Sequence, residues 1–123
     1  MPFSVYSSAV LTILIIVLSM NVTRLRLRYR IAFGDANKPE LTTAIRAHGN
    51  TLEQSLVFIV LLYFIDCFAA IDKNFIIIIS VVFFAARIFY CLGLFFDKFI
   101  FRKVGHGVSM LVFFSESLIL LLS

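Results

Sequence analysis

Long apolar segments alternate with short polar stretches along this chain. Four of them stand out, at residues 5–22, 41–65, 75–96 and 104–123. A helix needs about 20 mostly apolar residues to cross the hydrocarbon core of a bilayer. The pattern therefore predicts an all-α integral membrane protein, a bundle of four transmembrane helices, with the whole chain, 1–123, forming one membrane domain.

The composition agrees with this pattern. Hydrophobic residues make up 62% of the chain, charged residues 15%, and the mean hydropathy is +1.06. Soluble domains are about 45–50% apolar, and disordered chains are poor in apolar residues. No polar stretch is long enough to form a separate soluble domain, so any function must lie within the bundle or its loops.

The first apolar segment is expected to be a retained span rather than a secretory signal. Met1–Ser8 contains no Lys or Arg, and Ala9–Leu18 is followed by basic residues. A signal peptide would have a basic start and a cleavage site of small residues.

Neither a metal site nor a nucleic-acid surface is predicted. Cys67 and Cys91 lie in apolar surroundings and are expected to be small core residues rather than disulfide partners. His48 and His106 fall on different predicted helices without the spacing of metal ligands. The net charge of +4 is concentrated in loops rather than on a soluble basic face.

The basic residues predict an orientation in the membrane. Residues 24–40 carry five Lys or Arg, residues 97–106 carry three, and residues 66–73 carry one. Cytoplasmic loops carry an excess of Lys and Arg, so the first and third connections are predicted to be cytoplasmic. Each Arg in the run Arg24–Arg30 is equally compatible with a simple headgroup anchor.

Ionisable residues inside the apolar segments mark the candidate site. Each costs at least ~2.5–3.5 kcal/mol on insertion scales, so such residues usually face the bundle interior. At about 100° per residue, Arg46, Asn50 and Glu53 fall within an arc of about 60° on the second segment, and His48 points nearly the opposite way. Counting the helical rise places Arg87 of the third segment at a depth similar to that of Glu53.

Two interpretations of this polar cluster are open. It could be an internal network that fixes helix packing, or it could bind a charged ligand from the cytoplasm. Cations exceed acids, since Arg46, Arg87 and the nearby Arg26 and Arg102 accompany the single acid Glu53. Because Arg binds carboxylates bidentately, this excess suits a ligand with two carboxylates and one ammonium, and we favour the second interpretation.

Several motifs resemble one known family. The segment Arg46–Glu53 resembles the R-A-x-x-N-x-x-E signature in the second span of the MAPEG family, the membrane-associated proteins in eicosanoid and glutathione metabolism. The pair Gly34-Asp35, the stretch Ala86–Tyr90 followed by Gly93, and Phe101-Arg102 are similar to family members as well. The resemblance covers essentially the whole chain.

The resemblance implies a homotrimer of four-helix protomers in the cytoplasmic membrane, with glutathione between adjacent protomers near the cytoplasmic side. The glutathione would be a co-substrate, and its thiolate would attack a lipophilic electrophile or hydroperoxide from the bilayer. The implied glutathione-binding residues are Arg26, Arg46, His48, Asn50, Glu53, Arg87 and Tyr90. Arg102 falls near the Arg that stabilises the thiolate in several members, and it is the implied catalytic residue.

Three positions depart from the family pattern. Gln54 follows Glu53 where many members have Tyr, and Leu94 stands where the eicosanoid-making enzymes often have a second Tyr. Lys103 follows Arg102 where one branch has Ser. These departures argue against eicosanoid specificity and leave the electrophile open.

Two other functions stay open at this point. One branch of the family binds lipid and assists another enzyme without glutathione, although the retained polar motif weighs against it. A four-span drug–proton exporter would need an acid free to cycle protons. Glu116 could be that acid, but we expect it to be a satisfied interface residue, while Glu53 among cations would be held ionised.

Overall fold

Four antiparallel helices form the bundle. The computed structural model describes residues 2–123, with α1 at Phe3–Tyr29, α2 at Pro39–Phe68, α3 at Lys73–Phe95 and α4 at Phe99–Leu122. Each helix contains a stretch long and apolar enough to cross a membrane. The predicted all-α architecture with four transmembrane helices is confirmed.

The helices extend beyond the apolar segments that predicted them. α1 continues through the basic run to Tyr29, and it ends because Arg30 adopts a left-handed conformation (φ 56°) whose N–H donates to the Arg26 carbonyl. The predicted connection at 97–103 is mostly helical, since α4 begins at Phe99. Hydropathy marks the part of a helix that lies in hydrocarbon, whereas backbone hydrogen bonds and caps decide where the helix ends.

The connection between α1 and α2 is held by side chains. Arg26 Nη1 donates to the Gly34 carbonyl at 2.8 Å. The Asp35 carboxylate accepts from the Thr42 hydroxyl and from the backbone N–H of Asn37. These hydrogen bonds, first that of Thr42, lower the pKa of Asp35. The loop therefore gives α2 a fixed starting position.

α3 and α4 approach each other closely at two glycines. A Cβ added to Gly93 would lie 2.6 Å from the Arg102 backbone nitrogen, and one added to Gly105 would lie 2.6 Å from the Ala86 carbonyl oxygen. Side chains at these positions would force the helices apart. The two glycines therefore set how α4 is placed along α3.

Of the three apolar clusters in residues 2–123, one consists of Leu25, Leu41 and Ala44 beside the basic loops, and the other two fill the rest of the bundle. The larger of these two lies away from the basic loops and contains a stacked pair, Phe58 and Phe83, with ring centroids 4.1 Å apart. The smaller cluster lies nearer the basic loops; it comprises Leu18, Ala47, Tyr90, Cys91 and Leu94. Cys91 is buried as predicted, but Cys67 is exposed at the end of α2, so the prediction that it belongs to the core was wrong.

Candidate functional site

A buried arginine lies at the centre of the polar network. Arg87 of α3 is fully buried. Its Nη1 donates to the Asn50 side-chain oxygen at 2.6 Å, and its Nη2 donates to the Ser109 hydroxyl at 2.8 Å. Ser109 in turn donates to the Gly105 carbonyl at 2.9 Å. The network thus ties α2, α3 and α4 together.

The Arg87 guanidinium has no acidic partner among residues 2–123. It lies 4.9 Å from the centroid of the Tyr90 ring and 5.7 Å from that of Phe83. Its Nε is buried and makes no hydrogen bond to any described residue. A buried charge ordinarily needs an opposite charge. The protomer therefore holds a positive charge that only neutral groups surround.

The predicted polar face of α2 is present, but most of it points away from the bundle. Arg46 and Glu53 are exposed, and Asn50 between them is half-buried. In the described part of the chain, neither Arg46 nor Glu53 makes an ion pair or a side-chain hydrogen bond. Counting the helical rise placed Arg87 at a depth similar to that of Glu53. Arg87 instead contacts this face at Asn50, which lies one turn nearer the basic loops than Glu53.

The remaining predicted ligand residues are spread around the same end of the bundle. Arg26 is half-buried and is engaged with backbone carbonyls of the first connection. Arg102 is half-buried, and its guanidinium carbon lies 5.9 Å from the centroid of the Phe99 ring. His48 is half-buried, and Tyr90 is buried against Arg87. No hydrogen bond joins Arg26, His48 or Arg102 to the Arg87 network in residues 2–123.

Sequence reasoning missed Ser109. The signal was available, because Gly105, Ser109, Val112 and Glu116 share the buried face of α4 at helical spacing. A single hydroxyl in an apolar segment drew no attention, since Ser often bonds its own helix backbone. Ser109 does so here, and it also accepts the bond from Arg87.

Glu116 does not have the hydrogen-bond partners that the sequence analysis expected. Its side chain is fully buried, and both carboxylate oxygens are without a hydrogen-bond partner in residues 2–123. It lies between Val112 and Ile119, which pack in or against the larger apolar cluster. The expectation of a satisfied residue was therefore wrong within one protomer. The helical period predicts which face of α4 carries Glu116, but it does not predict which groups on the other helices contact that side chain.

A wide cleft lies apart from this network. It has a volume of about 930 Å³ and opens between α1, the start of α2 and the end of α3. None of the eight predicted ligand residues lines it. Within one protomer, the polar network and this cleft are therefore different places.

Comparison with known proteins supports the family resemblance that the α2 motif, Arg46–Glu53, indicates. The family model described as the MAPEG family matches residues 4–122. The chain is 37% identical over 98 residues to the inner membrane protein YecN of Escherichia coli strain K12, an alignment that covers 79% of this chain and 74% of that protein. YecN of E. coli O6:H1 strain CFT073 shows the same identity and coverage. The four spanning helices, the polar motif and these matches together establish that the chain is a multi-pass integral membrane protein belonging to the MAPEG family.

Proposed function

We propose that this protein is a glutathione-dependent transferase or peroxidase of the membrane. It would activate the glutathione thiol for attack on lipophilic electrophiles or hydroperoxides that arrive through the bilayer. The observation that carries the proposal is the buried Arg87, which has no oppositely charged partner in residues 2–123 and lies against the family motif at Asn50.

The charges of the polar face match those of glutathione, which has two carboxylates and one ammonium. Arg46 would bind one carboxylate and Glu53 would bind the ammonium. The buried positive charge of Arg87 would attract the other carboxylate from behind Asn50. Asn50 uses only its side-chain oxygen to bind Arg87, so its amide N–H groups remain free to donate to a peptide carbonyl. This set of groups supports a zwitterionic peptide ligand.

The exposed position of Arg46 and Glu53 supports a site shared between copies of the chain. Both residues face outward from the protomer, where a neighbouring protomer would cover them. We therefore propose the homotrimer that the family resemblance implies, with glutathione between adjacent protomers. We also propose that the site faces the cytoplasm, since the connections at that end carry most of the Lys and Arg.

The proposed chemistry needs little more than position and charge. A free thiol has a pKa of about 8.5 and is mostly neutral at cytoplasmic pH. A guanidinium beside the sulfur, assigned here to Arg102, favours the thiolate. The thiolate then forms a bond from sulfur to the electrophilic atom, and the leaving group departs with the electron pair of the broken bond. Orientation and preorganised charge can supply much of the acceleration.

The direct test is calorimetric titration of the purified protein in mild detergent with reduced glutathione, followed by ultraviolet absorbance of the bound thiolate against pH. Binding at or below millimolar concentration, with a thiolate forming below the pH at which free glutathione ionises, would support the proposal. An absence of binding at millimolar concentration would overturn it and favour the lipid-binding alternative. Native mass spectrometry in the same detergent tests the trimer.

A proton-coupled exporter is a second candidate, and Glu116 is the observation that favours it. A fully buried carboxyl with no protein partner in residues 2–123 suits a group that gains and loses a proton. If this function were correct, proteoliposomes would accumulate a lipophilic cation when a pH gradient is applied. Glu116→Gln would abolish that accumulation and Lys103→Gln, an exposed change on the same helix, would not. Gradient-independent accumulation would rule the candidate out.

A further inference from the structure

The open cleft of about 930 Å³ has an apolar floor and a charged mouth. Its floor is formed by aliphatic and aromatic side chains from α1, the last turn of α3 and the residue that caps α3: Val17, Leu18, Leu92, Leu94, Phe95 and Phe96. Polar groups at the mouth come from α1, the start of α2 and the turn after α3; they are Asn21, Arg24, Glu40 and Asp97. Ligand sites in proteins typically have volumes of about 300–1,000 Å³, so the cleft is large enough for a lipid chain.

A wall of packed side chains separates this cleft from the Arg87 network. Leu18 and Leu94 line the cleft and also pack with Tyr90 in the smaller apolar cluster. Tyr90 in turn lies against Arg87 on the other side. A molecule in the cleft therefore does not reach Arg87 or Asn50 within one protomer, and its binding does not depend on glutathione.

The mouth offers one cation and one free anion. Arg24 Nη2 donates to the Asn21 side-chain oxygen at 2.9 Å and lies 4.0 Å from Glu40 Oε1. Glu40 already accepts from the Tyr29 hydroxyl at 2.7 Å. Asp97 is exposed, and its carboxylate has no side-chain partner in the described chain. Arg24 has further N–H groups to donate, and Asp97 has both oxygens to accept.

The position of the cleft's mouth indicates which kind of ligand would bind in the cleft. The mouth lies at the end of the bundle that carries the basic connections, where lipid headgroups are expected, while the floor follows α1 from Leu25 toward Val17, in the apolar middle of that helix. Guanidinium binds phosphate well. Glu40 is already paired with Arg24 and with Arg28, whose Nη1 lies 3.9 Å from Glu40 Oε2. An anionic lipid would bring a net negative charge beside the Asp97 carboxylate, which has no side-chain partner in residues 2–123, whereas a zwitterionic lipid brings an ammonium to that side.

We propose that the cleft between α1 and α3 binds a bilayer phospholipid with a zwitterionic headgroup, through its charged mouth and apolar floor. The phosphate lies at Arg24, the ammonium lies at Asp97, and one acyl chain lies along Val17 and Leu92. The bound lipid fills the gap that the helices leave at this end of the bundle.

The test uses native mass spectrometry of the purified full chain in detergent, with phosphatidylethanolamine and phosphatidylglycerol of identical acyl chains added in equal amounts. The wild type should retain the zwitterionic lipid about tenfold better. Asp97→Asn should remove this preference by removing the ammonium partner. Asp97 has a positive φ of 54°, which Asn tolerates, so this change preserves the backbone.

A second pair of variants tests the floor. Val17→Trp would place an indole in the cleft, and it should reduce retention of both lipids about tenfold. Met20→Trp is the matched control, since Met20 is exposed on α1 and does not line the cleft. It should retain lipid as the wild type does.

Three results would overturn the proposal. The first is equal retention of the two lipids by the wild type, and the second is unchanged retention by Val17→Trp. The third is dissociation of the oligomer by Val17→Trp, which would show that a second copy of the chain occupies the cleft. Glutathione binding, measured in parallel, should be unchanged in Val17→Trp. A failure of glutathione binding in all variants would count against the proposed function and leave the lipid result standing.

Discussion

Arg87 of α3 donates a 2.6 Å hydrogen bond to the side-chain oxygen of Asn50 on α2. This single contact places a fully buried cation against the middle of the polar motif of α2. It explains why packing and ligand binding were both reasonable interpretations of the motif. The bond joins two helices, and it also brings a positive charge that has no acidic partner in the described part of the chain to the face that carries Arg46 and Glu53.

The hydrogen bond between Arg87 and Asn50 should contribute measurably to the free energy of unfolding. Asn50→Ala removes the acceptor, and a hydrogen bond to a charged group contributes about 1.5–3 kcal/mol. We expect the free energy of unfolding in detergent, followed by circular dichroism, to fall by about that amount. Asn74→Ala is the matched control, because Asn74 is exposed near the start of α3. Equal stability of both variants would show that the contact contributes nothing.

The close approach of α3 and α4 predicts opposite effects at two neighbouring glycines. A Cβ at Gly105 would meet the backbone of Ala86 and Tyr90, whereas a Cβ at Gly107 would meet nothing within 4 Å. Gly105→Ala should lower the unfolding free energy by about 1–3 kcal/mol, as overpacking does. Gly107→Ala should raise it by about 0.5–1 kcal/mol, because Ala favours the helix. Thermal unfolding of the two variants is the measurement, and a stable Gly105→Ala would argue against this packing.

Glu53 is expected to determine the affinity for glutathione. Glu53→Gln removes the charge that would pair with the ligand ammonium, a loss of about 1.5–3 kcal/mol. At about 1.4 kcal/mol for each factor of ten, calorimetry should find binding about 10–100-fold weaker. Lys103→Gln, exposed and outside the motif, should bind as the wild type does. Wild-type affinity in Glu53→Gln would remove Glu53 from the proposed site.

Arg102 is expected to act on the sulfur rather than on the affinity. Arg102→Ala should leave glutathione binding close to that of the wild type and raise the pKa of the bound thiol, because the cation that favours the thiolate is gone. Ultraviolet titration of each variant saturated with glutathione separates the two effects. If the thiolate titration is unchanged in Arg102→Ala but abolished in Arg46→Ala, the catalytic assignment belongs to Arg46.

The orientation of the protein in the membrane is predicted only from the distribution of Lys and Arg, so a separate experiment tests it. In a Cys67→Ser background, Asn37→Cys in the first connection should react with a membrane-impermeant maleimide only after the membrane is opened, since five Lys or Arg lie in residues 24–40. Ala70→Cys, in the turn between α2 and α3, should label in intact cells. The reverse pattern would place the basic connections outside.

The sequence was sufficient for the architecture and for the composition of the polar face. Hydropathy over about 20 residues identifies a spanning helix, and the helical period places Arg46, Asn50 and Glu53 on one side of α2. Both signals are local: they depend on the residues of one segment and not on its neighbours. For this reason they remain valid in the folded protein.

The tertiary structure decided which groups actually meet. Arg87 bonds Asn50 and Ser109 rather than Glu53, and Glu116 is buried without a protein partner in residues 2–123. Such partnerships depend on how far one helix is shifted and rotated against the next. Here backbone contacts at Gly93 and Gly105 set that shift for α3 and α4. A pattern within one helix carries no information about this offset, so neither the Arg87 network nor the cleft beside α1 was visible before the helices were packed.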